Sequence, residues 1–122
     1  MTILLVDDDE DDQDIFREAI SIIRPDAKLI VAKDGEQGLS QLEIHSLPDY
    51  IFLDVSMPRM NGKEFLRFVK ASPQFEKIPV VIYSTSNHQG ELGEYFKMGA
   101  SNFLTKPSEF SLLLTYLKSL LR

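Results

Sequence analysis

Cysteine is absent from this 122-residue chain, which excludes disulfide bonds and thiolate chemistry. No apolar stretch approaches the length of a membrane span, and no signal-peptide pattern opens the chain, because strand-like residues begin at Thr2. Clusters of basic residues are also missing, since the Lys and Arg residues stand singly in a chain of net charge −6. These absences predict a cytoplasmic protein that binds neither nucleic acid nor an anionic membrane.

Acidic residues are concentrated near the N-terminus, directly after the apolar run Ile3–Val6. A short run of branched apolar residues is typical of a buried strand, and open α/β sheets place ligand sites at the C-terminal ends of their strands. Asp7 and Asp8 therefore predict a site for a hard divalent cation, Mg²⁺ or Mn²⁺, which offsets their mutual repulsion. The following acids are interpreted as favouring the positive end of a helix: Asp9, Glu10, Asp11, Asp12 and Asp14.

Apolar segments that read as strands alternate with segments of helical period, which predicts one α/β domain with a five-stranded parallel sheet and helices on both faces. The predicted strands are Ile3–Val6, Leu29–Ala32, Tyr50–Leu53, Val80–Tyr83 and Phe103–Leu104. We adopt the strand order 2-1-3-4-5, a common order of doubly wound sheets, because it makes the ends of the first and third strands neighbours.

The predicted helices have apolar stripes that are assigned to the core. The first predicted helix includes Ile15 in its apolar stripe and ends at Pro25. Ser108 is the predicted N-cap of the last helix. Asn61 is a plausible cap of the third helix, and the fourth, Asn87–Met98, is weak because of its two glycines. The core-facing residues of the first and last helices are Ile15, Phe16, Ala19, Ile20 and Ile23, and Phe110, Leu113, Leu114, Leu117 and Leu121.

Polar residues suited to phosphoryl chemistry follow the first, third, fourth and fifth predicted strands. Asp7 and Asp8 end the first, Asp54 the third, Ser84 the fourth and Lys106 the fifth. A carboxylate can attack phosphorus to form an acyl phosphate, while a metal ion, a lysine and a hydroxyl stabilise the phosphoryl oxygens. The constellation therefore predicts phosphoryl transfer.

The chain resembles the receiver domains of two-component response regulators from end to end, with the flavodoxin-like fold of the chemotaxis receiver protein. The matching motifs, specific as an ordered set, are LLVDD in the 2–8 region, IFLDVSMPRMNG at 51–62, IPVVIYSTS at 78–86 and GASNFLTKP at 99–107.

By that resemblance Asp54 is the phosphoacceptor, Asp8 a direct metal ligand, and Asp7 an acid that holds the metal through water or by its charge. Ser56 is expected to offer its backbone carbonyl to the metal. Ser84 and Phe103 are the expected switch residues, and Lys106 is the expected phosphate-binding lysine, followed by a cis peptide bond to Pro107. Small hydroxyl side chains at positions 56 and 86 leave the lifetime of the acyl phosphate undetermined.

The resemblance implies a stand-alone receiver over residues 1–122, without an output domain, as a monomer or weak homodimer. It is expected to take a phosphoryl group from a histidine kinase or a histidine phosphotransfer protein and to signal through an unidentified protein target, without being a conventional turnover enzyme. The long acidic run resembles receivers that serve phytochrome-type or hybrid kinases.

Three alternative functions can be compared with the residues that each would need. A flavin or nucleotide binder needs phosphate-binding glycines or free N–H groups after the first strand, where this chain has acids. A haloacid-dehalogenase-type phosphatase needs a second carboxylate where Ser56 stands. A degenerate receiver would bind a partner without phosphorylation, although every residue that the chemistry requires is present.

Overall fold

The computed structural model describes residues 1–44, 47–55, 62–85 and 92–121. Five strands and five helices alternate along the chain. The strands are β1 (Thr2–Val6), β2 (Lys28–Ala32), β3 (Tyr50–Leu53), β4 (Val80–Ser84) and β5 (Asn102–Thr105). The helices are α1 (Glu10–Ile23), α2 (Gly35–Ile44), α3 (Gly62–Ala71), α4 (Leu92–Lys97) and α5 (Phe110–Leu120). The predicted fold class is confirmed.

The strands form one parallel sheet in the order β2-β1-β3-β4-β5, as predicted. Strand β1 lies between β2 and β3, with Leu5 opposite both Val31 and Phe52. Because all strands run the same way, their C-terminal ends lie along one edge of the sheet. That edge receives the residues that follow β1, β3, β4 and β5.

Alternate residues of the central strands pack into two separate cores. Leu4, Ile51 and Ile82 face a cluster that includes side chains of α2, α3 and α4, whereas Leu5 and Phe52 face a cluster built with α1 and α5. Every one of these strand residues is buried. Burial on both faces explains why the strands are continuously apolar in sequence.

Helix α1 begins after an aspartate cap and ends before a proline. The Asp9 side chain accepts a hydrogen bond from the Asp12 backbone N–H at 3.1 Å, and the Arg24 cap precedes Pro25. Phe16, Ala19 and Ile20 are buried against the sheet, but Ile15 is 43% exposed, so its assignment to the core was wrong. Ile15 lies beside the buried face of the helix and lines a groove between α1 and α5.

The start of α5 also differs from the prediction. Glu109 is the N-cap residue, and its side chain makes no capping hydrogen bond, so the prediction of a Ser108 cap was wrong. The backbone N–H of Lys106 donates to the Ser84 carbonyl at 2.7 Å, which keeps the chain paired with β4 and delays the helix. The predicted cap Asn61 and the first part of the predicted fourth helix lie outside the described residues.

Within the described ranges, no helix combines the length and apolar character needed to cross a membrane.

Two helical glycines provide a matched test of packing. A Cβ atom on Gly38 would lie 2.8 Å from Cε2 of the buried Phe65 ring and 3.1 Å from Cγ2 of Val6, whereas a Cβ atom on Gly93 would meet nothing within 4 Å. We expect Gly38→Ala to lower the free energy of unfolding by about 1–3 kcal/mol through overpacking. Gly93→Ala should raise it by about 0.5–1 kcal/mol through helix propensity.

Urea unfolding monitored by circular dichroism measures both changes. Equal effects of the two substitutions would contradict the close approach of α2 to α3 and β1.

Candidate phosphoryl-transfer site

The sheet positions the polar residues through backbone hydrogen bonds that extend its ladder past the strand ends. Asp7 N donates to Ala32 O and Asp54 N to Val6 O, both at 2.9 Å, and Lys106 N donates to Ser84 O. The backbone of each of these three residues is therefore held by a hydrogen bond to a neighbouring strand, which fixes the position of its Cα atom. The structure thus confirms that the C-terminal ends of β1, β3, β4 and β5 lie at one edge of the sheet, as predicted.

Three carboxylates meet at this edge. One oxygen each from Asp7, Asp8 and Asp54 lies within 4.8 Å of the other two. Asp7 and Asp54 are buried, whereas Asp8 is exposed. Two of these three carboxylates are thus shielded from solvent, and the third is open to it.

Lys106 supplies the positive charge that faces these acids. Its Nζ atom lies 2.9 Å from Asp7 Oδ2, 3.1 Å from Asp54 Oδ2 and 2.8 Å from Asp12 Oδ2. It also lies 5.5 Å from the centre of the buried Tyr83 ring. Burial by itself lowers the pKa of Lys106, but the contacts with Asp12 and Asp7 and the charge of Asp54 outweigh it, so the pKa is raised and the ammonium stays charged.

Asp7 is a buried carboxylate whose pKa is raised despite its contact with Lys106. Burial raises its pKa to about 6, against the lowering effects of the Asp9 backbone N–H, 3.0 Å from Oδ1, and of Lys106. Its Oδ2 atom is buried and lacks hydrogen-bond geometry even though Lys106 Nζ is only 2.9 Å away. The acids therefore exceed the cations here, and the residues fit a hard divalent cation with oxygen ligands.

Ser84 is in direct contact with Asp54. Its hydroxyl donates to Asp54 Oδ1 at 3.2 Å, and the serine is fully buried at the end of β4. Phe103 on β5 is half-buried and packs against the core cluster that includes α2, α3 and α4. Ser56 lies outside the described residues.

Two further residues of α1 belong to the site and were missed in the sequence. Asp12 contacts Lys106, although it was interpreted only as an acid favouring the helix N-terminus. Gln13 Nε2 donates to the Asp7 carbonyl at 2.6 Å. Placement in the first turn of a helix that starts at the strand-end edge is the signal that would have identified them.

The peptide bond between Lys106 and Pro107 is trans, and the predicted cis bond was wrong. The trans isomer of an X–Pro bond is favoured by about 0.5–1 kcal/mol unless tertiary contacts select the other isomer.

Comparison with known proteins gives consistent matches. The profile of the response regulator receiver domain matches residues 3–118. Response regulator Rcp1 of Synechocystis sp. is 30% identical over 110 residues, which cover 85% of this chain and 75% of Rcp1.

Two solved structures are similar over 98% of this chain, each at 27% identity. The phosphorylated cyanobacterial phytochrome response regulator RcpA superimposes with a TM-score of 0.88 over 89% of its own chain. The Mn²⁺-bound form of Rcp1 superimposes with a TM-score of 0.85 over 90% of its chain.

The raised pKa of Asp7 predicts how stability depends on pH. In metal-free protein the folded state binds more protons than the unfolded state between pH 3.8 and about 6, so this group's contribution to stability falls as pH rises through that window. Asp7→Asn removes that dependence. The free energy of unfolding of Asp7→Asn minus that of the original chain should be higher at pH 7 than at pH 4, by on the order of 1–3 kcal/mol.

Urea unfolding in the presence of a chelator at both pH values measures the difference. Asp11→Asn, an exposed acid in the same helix turn as Asp12, is the control and should show no such improvement. Parallel pH profiles for Asp7→Asn and the original chain would refute the assignment.

Proposed function

The chain belongs to the response regulator receiver domain family, and on that basis we propose that it accepts a phosphoryl group on Asp54 as a component of a two-component phosphorelay. The observation that carries this proposal is the environment of Asp54. Its two carboxylate oxygens contact Ser84 and Lys106, and it shares the strand-end edge with Asp7 and Asp8. A carboxylate held this way is oriented for attack on phosphorus.

The donor class follows from the family: a phosphohistidine of a histidine kinase or of a histidine phosphotransfer protein. An oxygen of Asp54 forms a bond to phosphorus while the P–N bond breaks, and the electron pair of that bond leaves with the imidazole nitrogen. The product is an acyl phosphate on Asp54 and a free histidine on the donor. The chain is thus a reactant in one transfer, not a conventional turnover enzyme.

Lys106 and Ser84 stabilise charge during this transfer. Negative charge spreads over the peripheral phosphoryl oxygens, and both side chains are already hydrogen-bonded to the carboxylate that the phosphoryl group would modify. The ammonium of Lys106 is charged because of its acidic surroundings. Both donors therefore already lie beside the oxygen atoms of Asp54 before a phosphoryl group arrives.

Asp8 and Asp54 are the proposed ligands of Mg²⁺, or Mn²⁺ in its place, with Asp7 adding negative charge beside them and the Ser56 carbonyl as a further ligand. When bound, the ion supplies positive charge that offsets the phosphoryl oxygens. The buried Oδ2 of Asp7, which has no hydrogen bond, and the excess of acids over Lys106 support this assignment.

Ser84 and Phe103 are the proposed switch. Phosphorylation adds stronger acceptors beside Ser84, and movement of its hydroxyl towards them would open space for the Phe103 ring to turn inward. Phe103 lies opposite Ile82, two residues before Ser84 on β4, so the two switch positions are on paired strands.

Labelling with acetyl phosphate and Mg²⁺ tests the phosphoacceptor. We expect one base-labile phosphoryl group on Asp54, visible as a single mass increase, because Asp54 is the carboxylate held between Ser84 and Lys106. Asp54→Asn should abolish it, since an amide is a far poorer nucleophile than a carboxylate. Chelation of the metal or Asp8→Asn should reduce the rate by at least about tenfold.

Asp34→Asn is the matched control, because Asp34 is also a buried carboxylate beyond a strand end but accepts a hydrogen bond from Gln37 N away from the site. It should be labelled like the original chain. Full labelling of Asp54→Asn would overturn the proposal, and no labelling of the folded original chain would favour a receiver that acts without phosphorylation.

Hydrogen exchange tests the switch. Beryllofluoride, an acyl-phosphate mimic, should change protection within residues 84–106 more than in α1, α2 or α3. Helix α4 is short and follows β4, which ends at the proposed switch residue Ser84, so it should open more readily than the longer helices. Peptide-resolved mass spectrometry with and without the mimic measures the change, with Asp54→Asn as the unresponsive control. Unaltered exchange across residues 84–106 in a protein that binds the mimic would show a site without a switch.

A further inference from the structure

Lys106 has one partner that the proposed phosphoryl transfer does not use. Asp12 Oδ2 accepts a hydrogen bond from Lys106 Nζ at 2.8 Å, the shortest of the lysine's three contacts with carboxylates. The other two partners, Asp7 and Asp54, lie inside the site. Asp12 instead reaches the ammonium from the first turn of α1.

Asp12 is held where it can act as a fixed anchor. Its backbone N–H donates to the Asp9 cap, so the residue that carries the carboxylate is fixed at the start of the helix. Its side chain is 29% exposed and that of Lys106 only 12% exposed, so the contact between them is largely shielded from solvent. Both residues line the groove of about 210 Å³ between α1 and α5.

We propose that Asp12 is a positioning residue that holds the Lys106 ammonium on the α1 side and competes with phosphoryl oxygens for it, which slows phosphorylation of Asp54. This inference rests on the proposed function. A phosphoryl group that approaches Asp54 must draw the ammonium towards its own oxygens. The Asp12 carboxylate opposes that movement and adds negative charge where a negative donor must enter.

Neutralising Asp12 should therefore release the lysine without disorganising it, because Asp7 and Asp54 still contact Nζ. Asp12→Asn keeps the size of the side chain and removes its charge. Asp12→Glu keeps the charge and should preserve the restraint. Asp11→Asn removes the same charge from an exposed neighbour in the same helix turn, so it reports the general effect of net charge and helix dipole.

Two measurements test the inference. The first is the second-order rate constant for phosphorylation by acetyl phosphate with saturating Mg²⁺, followed by intact mass. The second is the rate at which a limiting acylating reagent modifies Lys106 in metal-free protein without a phosphodonor, followed by peptide mass spectrometry. Thermal unfolding of each variant verifies that it is folded.

We expect Asp12→Asn to raise both rates by about 3- to 10-fold over Asp11→Asn, with Asp12→Glu close to the original chain. Equal rates for Asp12→Asn and Asp11→Asn would overturn the inference, and slower phosphorylation of Asp12→Asn would show that Asp12 assists the transfer. If the original chain is not phosphorylated at all, the proposed function fails. The acylation rates then still decide whether Asp12 restrains Lys106.

Discussion

The balance between one lysine and a group of carboxylates is the constraint on which this structure depends. Asp7 and Asp54 are buried at the end of adjacent strands, where two negative charges without a counter-charge would be too costly to keep. Lys106 reaches both from the end of β5, across the strand β4 that separates β5 from β3. The site thus links the C-terminal ends of β1, β3 and β5.

Rigid placement of the strand ends makes this balance possible. The backbone hydrogen bonds of Asp7, Asp54 and Lys106 continue the ladder beyond the regular strands, so side-chain distances are set by strand spacing. Gly62 adds a further constraint after β3, because a Cβ atom there would collide with the Val55 backbone. The start of α3 can approach Val55 this closely only because residue 62 has no side chain.

The sequence was informative where a residue's position follows from periodicity and uninformative where it depends on packing between elements. Continuous apolar runs identified all five strands, and polar residues at their ends identified Asp54, Ser84 and Lys106 as neighbours. The core assignment of Ile15 failed because the helix rotation that buries Phe16 is set by the sheet beneath it. Asp12 was missed because an acid in the first turn of a helix is already accounted for by the helix dipole, and its contact with Lys106 depends on how α1 packs beside the sheet edge.

The contacts of Lys106 indicate how a phosphoryl group on Asp54 would affect more of the structure than Asp54 itself. An ammonium has three N–H donors, and Nζ already lies within 3.1 Å of an oxygen of each of three carboxylates. A phosphoryl group on Asp54 would add strong acceptors without adding a donor. Phosphoryl oxygens would then compete with these carboxylates for Lys106, and the lysine's contacts connect the ends of β1, β3 and β5 with the first turn of α1. Negative charge added at Asp54 would therefore alter contacts made by β1, β5 and α1 as well as β3. A switch needs such coupling, because the chemical change itself is confined to one side chain.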